Sequence, residues 1–344
     1  MTNNAIHRRR VSRRAKTIGG AAAAVAVAGG ALTVAGNAMA GEQGGSAAAG
    51  DFAPYVDTSL QPAYDLVKSS DATGVKTYNL AFVNAAGNQC TPKWGGSEEL
   101  GDNKVAKQIP DLRKKGGDVR ISFGGANGSE LGLACKSPEE LAKAYGKVID
   151  TFKLKKVDFD IEGSALPNTD ANTRRAKAIA QLQKDHKDLD VSFTLPVLPD
   201  GLTKDGTNLL KNAKDNGVNI SAVNIMAMDY GPNYKDDMGK YAIQAATATQ
   251  KQVKDSLGIG DDAKAWKTLA VTPMIGVNDQ AEEVFKTDDA KEVKQFADSK
   301  GMGWLSMWSA TRDKQCEGGV KMQASPTCSG VQQGENDFTK AFTG

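Results

Sequence analysis

Asp158, Asp160 and Glu162 recur at every second position of VDFDIEG, residues 157–163, with Val157, Phe159 and Ile161 filling the chain between and before them. In an extended strand, alternate side chains share a face and sit about 6.6–7 Å apart along it. The three acids then point one way and the apolar trio the other. If the apolar face packs against helices, the acids face an interior, with Glu162 nearest the strand's end. Like charges buried in a row raise the proton affinity of at least one of them. A carboxyl that keeps its proton near neutrality is what general acid catalysis needs. Two other arrangements use the same residues: an edge strand with its acids in water, and a calcium or magnesium site. Acids on one strand splay along a line and converge poorly on an ion. The spacing therefore favours proton chemistry, with no metal and no other cofactor.

Other chemistries find few residues here. Beyond residue 40 the only histidine is His186, in KDHKDLD at what reads as a helix end. That leaves no base for a serine or cysteine protease and no histidine zinc motif. The glycines of SFGGANGS, residues 122–129, lack the Lys-Ser/Thr that follows a phosphate cradle; a close backbone approach beneath a sugar explains them better.

Eight short β-branched or aromatic runs must position these acids: residues 52–56, 75–83, 118–125, 156–163, 189–197, 222–231, 267–276 and 303–309. Helix-like segments separate them. SPEELAKAYGKVIDTFK opens with a capping box of Ser137 and Glu140. NTRRAKAIAQLQKDH and KYAIQAATATQKQVKDSL carry apolar residues at helical spacing. Strand and helix alternating eight times is the pattern of an α/β protein of the (β/α)8 TIM-barrel type. A doubly wound open sheet is the alternative, but the first run, DFAPYVDTSL, lacks the glycine-rich phosphate turn such a sheet places after its first strand. Barrel enzymes carry their chemistry at the C-terminal ends of strands. There, the third, fourth, sixth and eighth runs end SFGG, DIEG, MDYG and MWS.

DFDIE resembles the D-x-x-D-x-D-x-E signature of family 18 glycoside hydrolases, the chitinase family. Ser122 to Gly125 is similar to the family's S-x-G-G, and Met226-Ala227-Met228-Asp229-Tyr230 to its M-x-Y-D. Trp308 stands where the family floors its sugar site with tryptophan. The resemblance spans the chain beyond its leader and implies a (β/α)8 barrel that cuts β-1,4 bonds of chitin or chito-oligosaccharides with retention. It implies that Glu162 protonates the glycosidic oxygen. Asp160 orients the substrate's acetamido group and moves between Glu162 and Asp158. The nucleophile is the sugar's own acetamido oxygen. Substrate-binding roles are implied for Ser122, Gly124, Gly125, Met226, Asp229, Tyr230 and Trp308. Two positions depart from the family. Lys155 replaces its first Asp, expected deepest in the barrel, and Met228 replaces its tyrosine, with the phenol displaced to Tyr230. An endo-β-N-acetylglucosaminidase of N-glycans shares the fold and catalytic strand. A chitin-binding lectin of the same fold loses the terminal acid, which is present here as Glu162.

Among the remaining aromatics, Tyr55 and Phe82 end strands one and two, where cleft wall and barrel packing are equally suited. Trp94 falls in a loop on the active face, while Trp266 and Trp304 read as packing residues.

Five arginines and a lysine open the chain, followed by a Gly/Ala-rich apolar run ending at Ala38-Met39-Ala40. That is the form of a secretory signal peptide, residues 1–40. Ser12-Arg13-Arg14 also resembles a twin-arginine start, beside the general export route. Residues 41–50, GEQGGSAAAG, read as a flexible leader, and 51–344 as one catalytic domain. The whole chain has 43 Lys+Arg against 41 Asp+Glu. Without the signal the balance falls to about −4, so its basicity is that of the signal and gives no reason to expect a nucleic-acid partner. The expected product is a secreted, extracellular monomer with no membrane association after cleavage. Export lets the four cysteines form disulfides. Nearness in sequence pairs Cys316 with Cys328 and leaves Cys90 for Cys135. Four zinc ligands would be the competing use, but no C-x-x-C spacing is present.

Overall fold

The computed structural model describes residues 51–344. The expected signal peptide and leader lie outside the described residues. Eight parallel strands follow in chain order: β1 Tyr55–Asp57, β2 Thr77–Ala86, β3 Asp118–Gly124, β4 Lys156–Asp160, β5 Asp190–Leu198, β6 Ala222–Ala227, β7 Leu269–Pro273 and β8 Trp304–Leu305. Each pairs with the next. The ring closes where Ala53 N–H donates to Leu305 O at 2.8 Å and Tyr55 N–H to Met307 O at 3.0 Å. This is the (β/α)8 barrel expected from the alternation of runs.

Alternation within each strand sorts the side chains as the sequence requires. Val157, Phe159 and Ile161 are fully buried on the outer face of β4. Phe159 meets the rings of Tyr145 at 5.0 Å, Phe123 at 5.4 Å and Phe193 at 5.7 Å. Tyr145 lies on the helix Pro138–Phe152, started by Ser137, whose hydroxyl accepts the Glu140 N–H. The Glu140 carboxylate reaches back to Lys136 N–H, one residue earlier than a full capping box would place it. The inner face of the barrel is polar: Asn79, Ser122, Asp158, Ser192, Thr194, Asn224 and Ser306 are all buried there. At its base the Arg120 guanidinium pairs with Asp190 at 3.0 Å and lies 4.6 Å from the Trp304 ring centroid.

β4 leaves the ladder at Asp160, three residues before the expected end, yet Ile161 N–H still reaches Thr194 O at 3.0 Å. The alternation therefore carries through to Glu162. β6 stops at Ala227, so Met228 to Gly231 belong to a loop. Three antiparallel additions have no counterpart in the periodicity. Gln89–Trp94 folds back on β2, Gly201–Leu202 on β5, and Gly276–Val277 pairs with Val284–Phe285. Disulfides join Cys90 to Cys135 and Cys316 to Cys328. Among the described residues no helix is long and apolar enough to cross a membrane.

Phe159→Ala removes a ring enclosed on the outer face by three others, and is expected to cost ~3–5 kcal/mol of unfolding free energy in urea titration. A loss below ~1 kcal/mol would contradict the assignment of that face to the core.

Candidate active site

The open end of the barrel holds a cleft of about 640 Å3, within the range of small-molecule sites. Asp160 and Glu162 border it, while Asp158 lies one layer below, with no exposed surface. Asp158 accepts hydrogen bonds from Tyr55 Oη at 2.9 Å, Ser122 Oγ at 2.7 Å, Ser192 Oγ at 2.6 Å and Thr194 Oγ1 at 2.9 Å. Strand register makes this possible, because Ser122 and Ser192 are the residues paired with Asp158 on the two neighbouring strands. Asn224 Nδ2 donates to Thr194 Oγ1 at 3.0 Å, and Thr272 Oγ1 donates to Asn224 Oδ1 at 2.8 Å. Four hydroxyls satisfy the buried carboxylate without a basic partner.

Ser122 is thus a support for Asp158 and not a substrate contact, which corrects the role implied by the S-x-G-G resemblance. The two glycines after it also serve the protein itself. Gly124 has φ +103, and a Cβ there would lie 2.1 Å from Asp160 O. A Cβ on Gly125, at φ +84, would lie 2.7 Å from the Phe82 ring. Neither borders the cleft. The close approach they permit is to β4 and to Phe82, where a sugar was expected. Lys155 is corrected likewise. Its side chain is exposed and its carbonyl accepts Asp190 N–H, so position 155 lies in solvent at the base of the barrel and not inside it. The support expected of a fourth acid is supplied by hydroxyls.

Asp160 is 4% exposed, and burial, then the neighbouring Glu162 and Asp158, push its carboxyl well above the usual range. Glu162 is also raised, chiefly by burial and further by Asp229, against a hydrogen bond with Asp160 that lowers it. A hydrogen bond between two carboxyl groups needs a proton on one of them. The Asp160 Oδ1 has no partner within the protein.

The Trp308 ring, partly exposed, stacks beside Phe82 with centroids 5.7 Å apart and an interplanar angle of 17°. Tyr55 approaches the Trp308 ring at 6.0 Å. These three rings line one stretch of the cleft, so Tyr55 and Phe82 belong to the wall. Trp94 touches the margin, but its indole N–H is spent on Leu100 O at 3.2 Å and its ring is buried. Met226, Met228 and Asp229 line the cleft as well. Tyr230 does not. Its ring is buried against Tyr234 and Tyr241, with centroids at 5.7 and 6.1 Å, so the displaced phenol does not replace the family's tyrosine. Asp57, Glu98 and Asp279, which carry no sequence signal, add carboxylates to the lining. Among the described residues no group of three or more His, Cys, Asp or Glu side chains is arranged to hold a metal ion.

The fold matches known proteins. Active domain 2 of a thermostable chitinase from Pyrococcus furiosus, solved as catalytic-site mutants complexed with chito-oligosaccharides, superposes with a TM-score of 0.78. It is 34% identical, over 86% of this chain and 93% of that one. The chain belongs to the chitinase family. "Endochitinase 11" of Metarhizium anisopliae is 36% identical over 276 residues, and the "Probable bifunctional chitinase/lysozyme" of Escherichia coli (strain K12) is 36% identical over 275. Both matches cover 76% of this chain, but only 52% and 31% of those proteins. No protein-family model matches the sequence.

The buried Asp160 gives this chitinase-family chain a testable pH signature. An unfolded aspartate titrates near about 3.9, and the folded value here is raised. The stability tied to that proton is fully present below the unfolded value and is lost as pH rises through the folded one. Asp160→Asn, neutral throughout, is therefore expected to match the wild type below about pH 4 and to melt several degrees higher near neutrality. Melting curves across pH test this; a variant less stable near neutrality would contradict a raised Asp160.

Proposed function

We propose that the protein is an exported chitinase that hydrolyses β-1,4-linked N-acetylglucosamine by a retaining, substrate-assisted mechanism. The carrying observation is the close pairing of buried Asp160 with half-buried Glu162, both with raised proton affinity, at the base of an aromatic-walled cleft. Glu162, with its raised proton affinity, donates its proton to the glycosidic oxygen as the bond to the anomeric carbon breaks. A second carboxylate placed to attack that carbon would have to face Glu162 across the bond. Asp160 instead shares a hydrogen bond with Glu162, on the same side. The acetamido carbonyl oxygen of the same sugar therefore attacks the anomeric carbon and forms an oxazolinium ion. The unpartnered Asp160 Oδ1 accepts the acetamido N–H and balances the positive charge. Glu162, now ionised, takes a proton from water, whose oxygen opens the ring from the face the leaving group occupied. The original configuration returns, and so does the Glu162 proton. Trp308 offers its face to a sugar ring. The oligosaccharides bound to the Pyrococcus domain support this substrate class. The two disulfides and the basic-apolar N-terminus support export.

Chito-oligosaccharide hydrolysis followed by 1H NMR is expected to show the β-anomer as first product. Glu162→Gln is expected to lower kcat by about 10²–10⁴-fold while oligosaccharide binding persists. Asp160→Ala should be nearly as damaging, and near-normal turnover in that variant would refute the mechanism. Cleavage of a high-mannose glycopeptide alone would assign the protein to the N-glycan endoglycosidases. Chitin binding without turnover would make it a lectin.

A further inference from the structure

Glu283 is a fully buried carboxylate that the mechanism above does not use. It sits on the short hairpin Gly276–Val277/Val284–Phe285 that follows β7. What meets it is backbone: Gly231 N–H donates to Glu283 Oε1 at 2.7 Å, while Glu283 Oε2 has no hydrogen-bond partner. The chain presents that N–H from a tightly coiled turn. Here Asp229 takes φ +50 and Gly231 φ +114. Asp229 is a non-glycine residue in the left-handed region at the edge of the cleft, a conformation that persists only where its surroundings enforce it.

The same hairpin grips the Asp229 side chain. Gln280 N–H donates to Asp229 Oδ1 at 2.9 Å. Asn278 Oδ1 accepts the Asp229 N–H at 3.4 Å, and Asn278 is itself anchored through Nδ2 to the carbonyls of Met274 at 2.9 Å and Gly276 at 3.1 Å. We infer that Glu283 is a positioning residue: its buried carboxylate takes the Gly231 N–H, fixes the turn at residues 229–231 and so holds the Asp229 carboxylate beside Glu162. This rests on Glu162 being the general acid.

The consequence is a control on when Glu162 keeps its proton. The charge of Asp229 is one of the causes that raise Glu162, whose other charged neighbour is Asp160. Asp229 in turn faces Glu283, Asp279 and the buried Arg312. Glu283 is faced by Asp229 and the Tyr230 hydroxyl. If the hairpin lets Asp229 go, Glu162 loses a nearby negative charge and gives up its proton at lower pH. The basic limb of the activity profile, where the acid is lost, then moves toward acid.

The test is the pH dependence of kcat/KM on chito-oligosaccharides for wild type, Glu283→Gln, Glu283→Asp and Glu283→Ala, with Asp229→Asn as reference. Gln keeps an oxygen that accepts from Gly231 and is expected to stay within about threefold of wild type with its basic limb in place. Asp keeps the charge but withdraws it by one methylene. Asp and Ala are expected to lose about tenfold and to move the basic limb down by about half a pH unit, as Asp229→Asn does. Should Ala fail to fold, the contrast between Gln and Asp still decides. A uniform loss with the limb unmoved would reduce Glu283 to a structural residue. A limb moved by Gln and not by Asp would assign the effect to charge and overturn the positioning role. If the wild type cut no oligosaccharide, the general-acid reading would fall. The same shift in Glu162, followed as a 13C carboxyl titration of wild type and Glu283→Asp, would then show whether Glu283 sets the place of Asp229.

Discussion

Two carboxyls set side by side at the end of one strand, Asp160 buried and Glu162 half-buried, organise this structure. Asp160 and Glu162 are close enough to share a hydrogen bond, and both are driven by burial toward their neutral forms. A carboxylate desolvated beside another is expensive unless a proton is held between them. The barrel accepts that cost because the strands that create it are stabilised on their other face. The Phe123, Tyr145, Phe159 and Phe193 rings pack outside the ladder that carries the acids inside. The same alternation produces the core and the site.

Behind the pair, the charge of Asp158 is held by hydroxyls alone. Tyr55, Ser122, Ser192 and Thr194 come from three strands, β1, β3 and β5, and meet at one carboxylate; the parallel register places Ser122 and Ser192 level with it and Thr194 one step above. No lysine or arginine takes part in this set of bonds. A cation there would lower the proton affinity of the acids above it, whereas neutral donors hold Asp158 in place and leave its charge to act on Asp160. Lys155, at the position where the family carries an acid, points out to solvent and leaves this arrangement undisturbed.

Much of this is legible in the chain itself. Eight apolar runs announce the barrel, the period-two acids announce the interior face of the fourth strand, and the cysteine spacing anticipates both disulfides. What the residues do not announce depends on register or on loops. Ser122 reads as a ligand contact until the pairing with Asp158 is known. Gly124 and Gly125 read as room for a sugar, when the space they spare belongs to Asp160 O and Phe82. Tyr230 reads as a displaced catalytic phenol, but β6 ends at Ala227 and the left-handed turn at Asp229 sends that ring into the packing of Tyr234 and Tyr241. Glu283 lies in a segment with no periodicity, and its meaning comes from backbone groups some fifty residues earlier.

The shared proton can be seen directly by neutron diffraction from a deuterated crystal near neutral pH. A single deuteron between Asp160 and Glu162 is the result this account predicts. Two bare carboxylates, separated or bridged by water, would contradict it.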